Sequence, residues 1–203
     1  ILWFGCTFCR CFNRDVSNPS AVPFSPCLIY SAFEGYGFNA GSALALQSNH
    51  VGTIAANAAV STSLSGAAGG VSSLFTNLWL EERRTGESHF SMRMAMNGVL
   101  SGLVAITGGC AVMEPWAAVV TGMIAGWLYI YGSNLLIRLR IDDAVDAIPV
   151  HMLNGMWGLL ATGLVASPRK LELAYGDSDH TGWFYSLGAG SFDASLLTNQ
   201  VME

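Results

Sequence analysis

The feature that most constrains this sequence is the run from Ala147 to Ala166, which contains one histidine and no Asp, Glu, Lys or Arg. A run of about 20 apolar residues is what an α-helix needs to cross a hydrocarbon layer of roughly 30 Å. Pro149 suits the first turn of such a helix, because its missing N–H costs nothing there. His151 is then an ionisable group inside a membrane-spanning segment, and a functional role is the default hypothesis for such a group.

Helical spacing predicts which face of this segment carries the histidine. Gly155, Gly158 and Thr162 follow His151 at α-helical intervals and should share its face. Small residues let a neighbouring helix approach closely. We therefore expect the imidazole to point into a protein interior rather than at lipid.

The composition of the chain is typical of a membrane protein. Of its 203 residues, 52% are hydrophobic and 11% are charged, whereas about 25% of a typical soluble domain is charged. The formal net charge of -5 is mild and the Lys and Arg residues form no basic patch, so nucleic acid is not an expected partner. The predicted fold class is all-α, as a polytopic membrane helix bundle.

Charge-free segments divide the chain into about five spanning helices, the first of them partial. They are predicted at residues 36–48, 51–80, 94–113, 117–137 and 147–166. Three of them contain glycines four residues apart, a spacing typical of packed membrane helices. These pairs are Gly66 and Gly70, Gly98 and Gly102, and Gly122 and Gly126. Residues 167–203 are predicted as an extramembrane loop that leads into a truncated last helix.

Charge asymmetry orients the predicted bundle. Five arginines lie in the two loops at one end, namely Arg83, Arg84, Arg93, Arg138 and Arg140. The positive-inside rule assigns that end to the cytoplasm, and Asp142, Asp143 and Asp146 fall at the same end. We expect Asp143 or Asp146 to cap the following helix, and the three carboxylates to form an inner-surface ion-pair cluster with Arg138 and Arg140.

Three motifs in this sequence resemble the ammonium transporters of the Amt/Mep/Rh family. They are YGFNAGSA at 36–43, NGVLSGLVAITGGCAVMEPWAA at 97–118 and IDDAVDAIPVHMLNGMWG at 141–158. The resemblance implies that family's fold of roughly eleven spanning helices, in two inverted halves around a pore, usually as a trimer. This chain would be a C-terminal-half fragment of a eukaryotic member, holding about the sixth to the tenth helix.

The resemblance also implies a pathway and roles within it. Phe38 matches the inner phenylalanine of the pore gate, Ser42 the serine that helps to bind ammonium, and His151 the second of two paired pore histidines. Ala144 replaces the usual proline after the aspartate pair, and Met152 replaces the usual glycine after the histidine. The implied function is ammonium or ammonia transport without enzymatic chemistry or a cofactor, in a multi-pass protein expected in the plasma membrane. Alone, this chain would lack half of the pore wall and is expected to be inactive.

Two alternatives share parts of this pattern. An ammonium sensor or transceptor would use the same pore residues and would be distinguished by a long signalling tail. An intramembrane hydrolase could pair Ser42 or Ser65 with His151, but neither serine lies in a nucleophile motif.

Residues 6–34 interrupt the first motif. The family usually reads LWFGWYGFN without a break, whereas here Gly5 and Tyr36 are separated by a cysteine- and proline-rich stretch without glycine until Gly35. The Cys6-x-x-Cys9-x-Cys11 spacing is loose and no histidine accompanies it, so we expect no metal site. A translated intron or a disordered insert is expected instead, because joining the T of a Cys6 TGT codon to the GG of a Gly35 GGG codon restores the missing tryptophan codon.

Overall fold

The computed structural model describes residues 35–43, 49–87, 89–143, 145–176, 180–188 and 195–202. Residues 6–34, with the expected insert, lie outside this part of the chain. The described residues are predominantly helical, and one isolated bridge pairs Met113 with Ala166. The all-α prediction is therefore confirmed.

Four longer helical elements form the bundle and three short ones follow. They are α1 (Asn49–Thr85), α2 (Met92–Ile106), α3 (Pro115–Leu139), a π-helical segment (Ile148–Leu153) that runs directly into α4 (Asn154–Val165), α5 (Pro168–Tyr175), α6 (Trp183–Gly188) and α7 (Ser195–Met202). Before α1, residues 35–39 are helical and Gly41–Ala43 forms a 3₁₀ turn.

Helix α1 packs against both α2 and α3 through backbone rather than through large side chains. A Cβ atom added at Gly102 of α2 or at Gly122 of α3 would lie well within 3.0 Å of the Ser65 carbonyl oxygen. The Ser65 hydroxyl donates to the Gly102 carbonyl at 2.8 Å. The glycine pairs therefore have the packing role that their spacing predicts.

Two of the described helices are long and apolar enough to cross a membrane by length and composition. They are Pro115–Leu139 and the continuous helix Ile148–Val165, while Met92–Ile106 is apolar but shorter. The predictions 117–137 and 147–166 agree with the first two within two residues. A proline occupies the first turn of each, where its missing N–H requires no partner.

The predicted span 94–113 is wrong at its C-terminal end. Helix α2 stops at Ile106, and residues 107–113 form turns in which the Gly109 N–H donates to the Ile106 carbonyl at 3.0 Å. Gly108 and Gly109 weaken helical continuation, because glycine costs about 1 kcal/mol relative to alanine in a helix. The chain turns here and enters α3.

The region predicted as an extramembrane loop contains α5 and α6, and α7 follows. Ser167, just before α5, is tied to the start of α3: its N–H donates to the Val112 carbonyl at 2.9 Å and its hydroxyl to Glu114 at 3.1 Å. Helix α7 packs along α4, since a Cβ at Gly163 would lie 2.9 Å from the Leu197 Cα.

The arginine-rich ends of the helices lie together. Arg84, in the last turn of α1, donates to the Asn134 side-chain oxygen of α3 at 3.0 Å. Arg138 is in the last turn of α3. The C-terminal ends of α1 and α3, which carry four of the five arginines, therefore lie close together, and the positive-inside orientation stays a prediction.

Candidate functional site

The helix that carries His151 begins with a π-helical turn. Residues Ile148–Leu153 are π-helical and become α-helical at Asn154. The Asn154 side-chain amide donates to the Pro149 carbonyl at 2.7 Å, so this side chain supplies a donor within the wide turn. Such π segments are rare and frequently occur at functional sites.

The residues predicted to share a face with His151 differ in burial. His151 is exposed, and a Cβ at Gly155 would meet nothing within 4 Å among the described atoms. Gly158 and Thr162 are buried instead, and a Cβ at Gly158 would lie well within 3.0 Å of the Ala105 carbonyl oxygen of α2. Burial therefore divides the four residues, and since Gly155 and Gly158 both lie in α4, the difference reflects which part of the helix meets α2. The shared face itself stays a prediction.

Several apolar residues near His151 on this helix are also exposed. Met152 and Met156 are each 58% exposed, and Leu159 is 47% exposed. The close contact with α2 is made by buried Gly158. The imidazole is therefore available to groups that approach from outside the described bundle.

Phe38 and Ser42 lie on the short segment before α1. Phe38 is 65% exposed, and the Ser42 hydroxyl donates to the Phe38 carbonyl. The segment is fixed to α1 through buried Asn39, whose side-chain amide donates to the Thr62 hydroxyl at 2.9 Å. The hydrogen bonds of the described residues join Phe38 to Ser42 and neither of them to His151.

Asp143 occupies the position of a cap on the His151 helix. Its two carboxylate oxygens accept the Ala147 N–H at 2.9 Å and the Ile148 N–H at 2.8 Å. These amides precede the first closed turn and have no partner within the helix. Of the two residues expected to cap, it is Asp143 that makes these contacts.

The Asp143→Ala substitution is expected to lower the free energy of unfolding by about 0.5–2 kcal/mol, the usual effect of losing an N-terminal cap. The reason is that two half-buried amides lose their acceptor. Thermal unfolding of the purified full-length protein measures the change, with exposed Asp142→Ala as the matched control. Equal melting temperatures for the two variants would contradict the capping role.

Asp146 is buried, which corrects the expected ion-pair cluster. Its side chain accepts from the Tyr129 hydroxyl at 3.0 Å, the Ser133 hydroxyl at 3.0 Å and the Asn97 amide at 3.3 Å. It is 9% exposed and its φ of 56° is left-handed, a conformation that aspartate tolerates better than most residues.

The ion pairs of the described residues lie elsewhere. They join His89 to Glu87 and Lys170 to Glu114, and none within 4 Å connects Asp142, Asp143 or Asp146 to Arg138 or Arg140. The prediction of an inner-surface ion-pair cluster is wrong. The left-handed backbone turns Asp146 inward to neutral donors, while both arginines are exposed.

Three functional candidates around Asp146 were not predicted from the sequence. Tyr129, Ser133 and Asn97 are 0%, 3% and 2% exposed. The available signal was polar residues inside otherwise apolar spans, with Tyr129 and Ser133 one helical turn apart. Polar groups at such depth require partners, and a nearby carboxylate is a strong one.

Comparisons with known proteins agree on one family. The model of the Ammonium Transporter Family matches residues 32–202. Ammonium transporter Amt2 of Archaeoglobus fulgidus is 44% identical over 176 residues, covering 79% of this chain and 36% of the relative. Ammonium transporter 1 member 2 of Arabidopsis thaliana is 36% identical over 180 residues, covering 84% and 33%.

Solved structures extend the likeness to the fold. The crystal structure of Candida albicans Mep2 matches with a TM-score of 0.68 and 26% identity, over 88% of this chain and 35% of that chain. This chain spans about a third of the length of the curated relatives that it matches.

Proposed function

This chain belongs to the Ammonium Transporter Family, and from that premise we propose that it forms one wall of a pathway that carries ammonium or ammonia across a membrane. The observation that carries the proposal is His151, an exposed imidazole on a charge-free helix of membrane-spanning length. Ionisable residues in such helices line cavities or meet polar partners. The opposite wall of a pore would lie on the side of this helix where His151 is exposed.

The chemistry of the substrate explains these residue types. Ammonium is strongly hydrated, so a pathway must replace its water contacts before it enters an apolar tube. A serine hydroxyl and an aromatic face can do so in part, and we assign these roles to Ser42 and Phe38.

A buried cation remains costly, whereas neutral ammonia can pass an apolar constriction if an imidazole accepts its hydrogen bonds. We assign that role to His151, acting with a second histidine from the other wall. We further propose that the intact protein is a homotrimer in the plasma membrane.

The alternatives are not favoured. The named relatives are ammonium transporters rather than enzymes. The serines needed by a hydrolase are engaged elsewhere, since buried Ser65 donates to the Gly102 carbonyl and Ser42 to the Phe38 carbonyl. A sensor or transceptor would retain the same pore, and regulation rather than flux would distinguish it.

We also propose that residues 6–34 are a translated intron. The family match begins at residue 32, close to the end of this stretch. Sequencing of the mature transcript tests the proposal: most messages are expected to lack the insert and to encode a tryptophan before Tyr36. An insert retained in most messages would contradict it.

Uptake by the full-length protein without residues 6–34 tests the proposed function. In cells that lack their own ammonium transporters, this protein is expected to restore growth on low ammonium and uptake of labelled methylammonium. Residues 1–203 expressed alone are expected to give no flux above vector controls, because half of the pore wall is missing. Absence of uptake by the full-length protein, when it is present at the cell surface, would reject transport.

A further inference from the structure

Buried Asp146 links three helices at the base of the helix that carries His151. Its carboxylate binds Asn97 of α2 and both Tyr129 and Ser133 of α3, and His151 follows one turn later. The Tyr129 hydroxyl, whose one proton is donated to Asp146, also lies 3.2 Å from the sulfur of Met94, which adds a contact with α2. The position of this carboxylate is therefore defined from two neighbouring helices.

Backbone contacts connect Asp146 to the residue before His151. The Asp146 carbonyl accepts the Val150 N–H at 3.1 Å, and Val150 packs in a buried cluster with Tyr129 and Ile130. In the same helix α3, a Cβ at Gly132 would lie 3.0 Å from the Pro149 Cβ, so the π turn and α3 are close. Residue 151 follows Val150 directly and has little freedom to shift.

Capping alone does not account for this arrangement. Asp143 already accepts the Ala147 and Ile148 amides, so Asp146 is not needed for them. Burying a second carboxylate in a membrane bundle is costly unless it is well hydrogen-bonded, and this one has three side-chain donors. Such a network adds rigidity at the place where the π turn begins.

We propose that Asp146 is a positioning residue for His151: held by Tyr129, Ser133 and Asn97, it fixes the π turn so that the imidazole keeps its place along the pathway. This inference rests on the proposed function. Functional groups must be held within about 0.5 Å of their working geometry by surrounding residues, and a misplacement of about 1 Å can lower a rate roughly a hundredfold.

Transport kinetics of the full-length protein give the first test. Asp146→Asn keeps the size and tolerates the left-handed φ, but it presents an amide N–H to residues that donate. We expect the maximal uptake rate to fall about tenfold or more, with the half-saturating concentration changed less than about twofold. Exposed Asp142→Asn is the matched control and should behave as wild type.

A second variant tests the proposal even if Asp146→Asn fails to fold. Tyr129→Phe removes one donor to Asp146 and keeps the ring in its buried cluster. It should lower the maximal rate less than Asp146→Asn does, and the double variant should be no slower than Asp146→Asn alone, since both act on one network. Wild-type rates in both single variants, or fully multiplicative losses in the double variant, would overturn the proposal.

A spectroscopic measurement separates this inference from the proposed function. In the ¹⁵N-histidine-labelled protein, the imidazole signal of His151 is assigned by its disappearance in His151→Ala. Asp146→Asn should move that signal by more than its line width, and Asp142→Asn should not. An unmoved signal overturns the positioning role whether or not the wild-type protein transports, while absent wild-type uptake rejects only the proposed function.

Discussion

Replacing His151 with alanine in the full-length protein is expected to lower ammonium uptake about tenfold or more and to leave its folding intact. The imidazole is exposed in this chain, so its removal opens no cavity in the described core. Loss of one hydrogen-bonding partner on the pathway costs about 1–3 kcal/mol, and 1.4 kcal/mol corresponds to a factor of ten. Initial uptake of labelled methylammonium, normalised to protein at the cell surface, measures the effect.

Met152→Ala provides the matched control for this experiment. Met152 is the next residue, is 58% exposed, and has no group that can accept a proton. Its truncation should change uptake by less than about twofold. Unchanged uptake by His151→Ala would remove the role assigned to the histidine, and equal losses in both variants would show that these side chains contribute packing alone.

The sequence predicts the helices better than it predicts which side of them is buried. Helix α3 and the His151 helix could be located closely because charge-free runs of sufficient length end at charged residues, and Pro115 and Pro149 mark their starts. The end of α2 could not, since residues 107–113 are as apolar as a spanning helix but turn at two glycines. Hydropathy alone does not predict such a turn.

The surroundings of the candidate site depend on contacts between residues far apart in sequence. Regular α-helical spacing predicts neither the π turn at His151 nor the burial of Gly158 and Thr162 beside an exposed histidine. Asp146 was expected to meet arginines close to it in sequence, yet its partners come from α2 and α3. The left-handed φ of Asp146 favours contact with α2 and α3 over contact with the arginines. A single sequence does not predict such a backbone angle clearly.

Phe38, Ser42 and His151 remain predictions as substrate contacts for a physical reason. All three are exposed in this chain, which spans about a third of the length of its relatives. In the proposed pore, the groups that oppose them would lie outside the residues that the structure describes. The chain does define the backbone that holds each of these side chains.

The largest structural effect is expected from Gly122→Leu, which should prevent recovery of folded protein. Gly122 of α3 and Gly102 of α2 lie against the same carbonyl of Ser65 in α1, and a single Cβ at either glycine already approaches backbone within 3.0 Å. Backbone cannot rotate away as a side chain can, so the helices would have to separate. Close contact between small residues is a principal source of helix association in membranes.

Graded substitutions distinguish this effect from a general intolerance to change. Gly122→Ala should lower the free energy of unfolding by about 1–3 kcal/mol, as overpacking usually does. Gly52→Ala in α1 is the control, because a Cβ there meets nothing within 4 Å, and it should be neutral or stabilising by up to about 1 kcal/mol through helix propensity. Monodisperse yield and thermal unfolding in detergent measure both, and a normal yield of Gly122→Leu would contradict the close packing of α3 against α1.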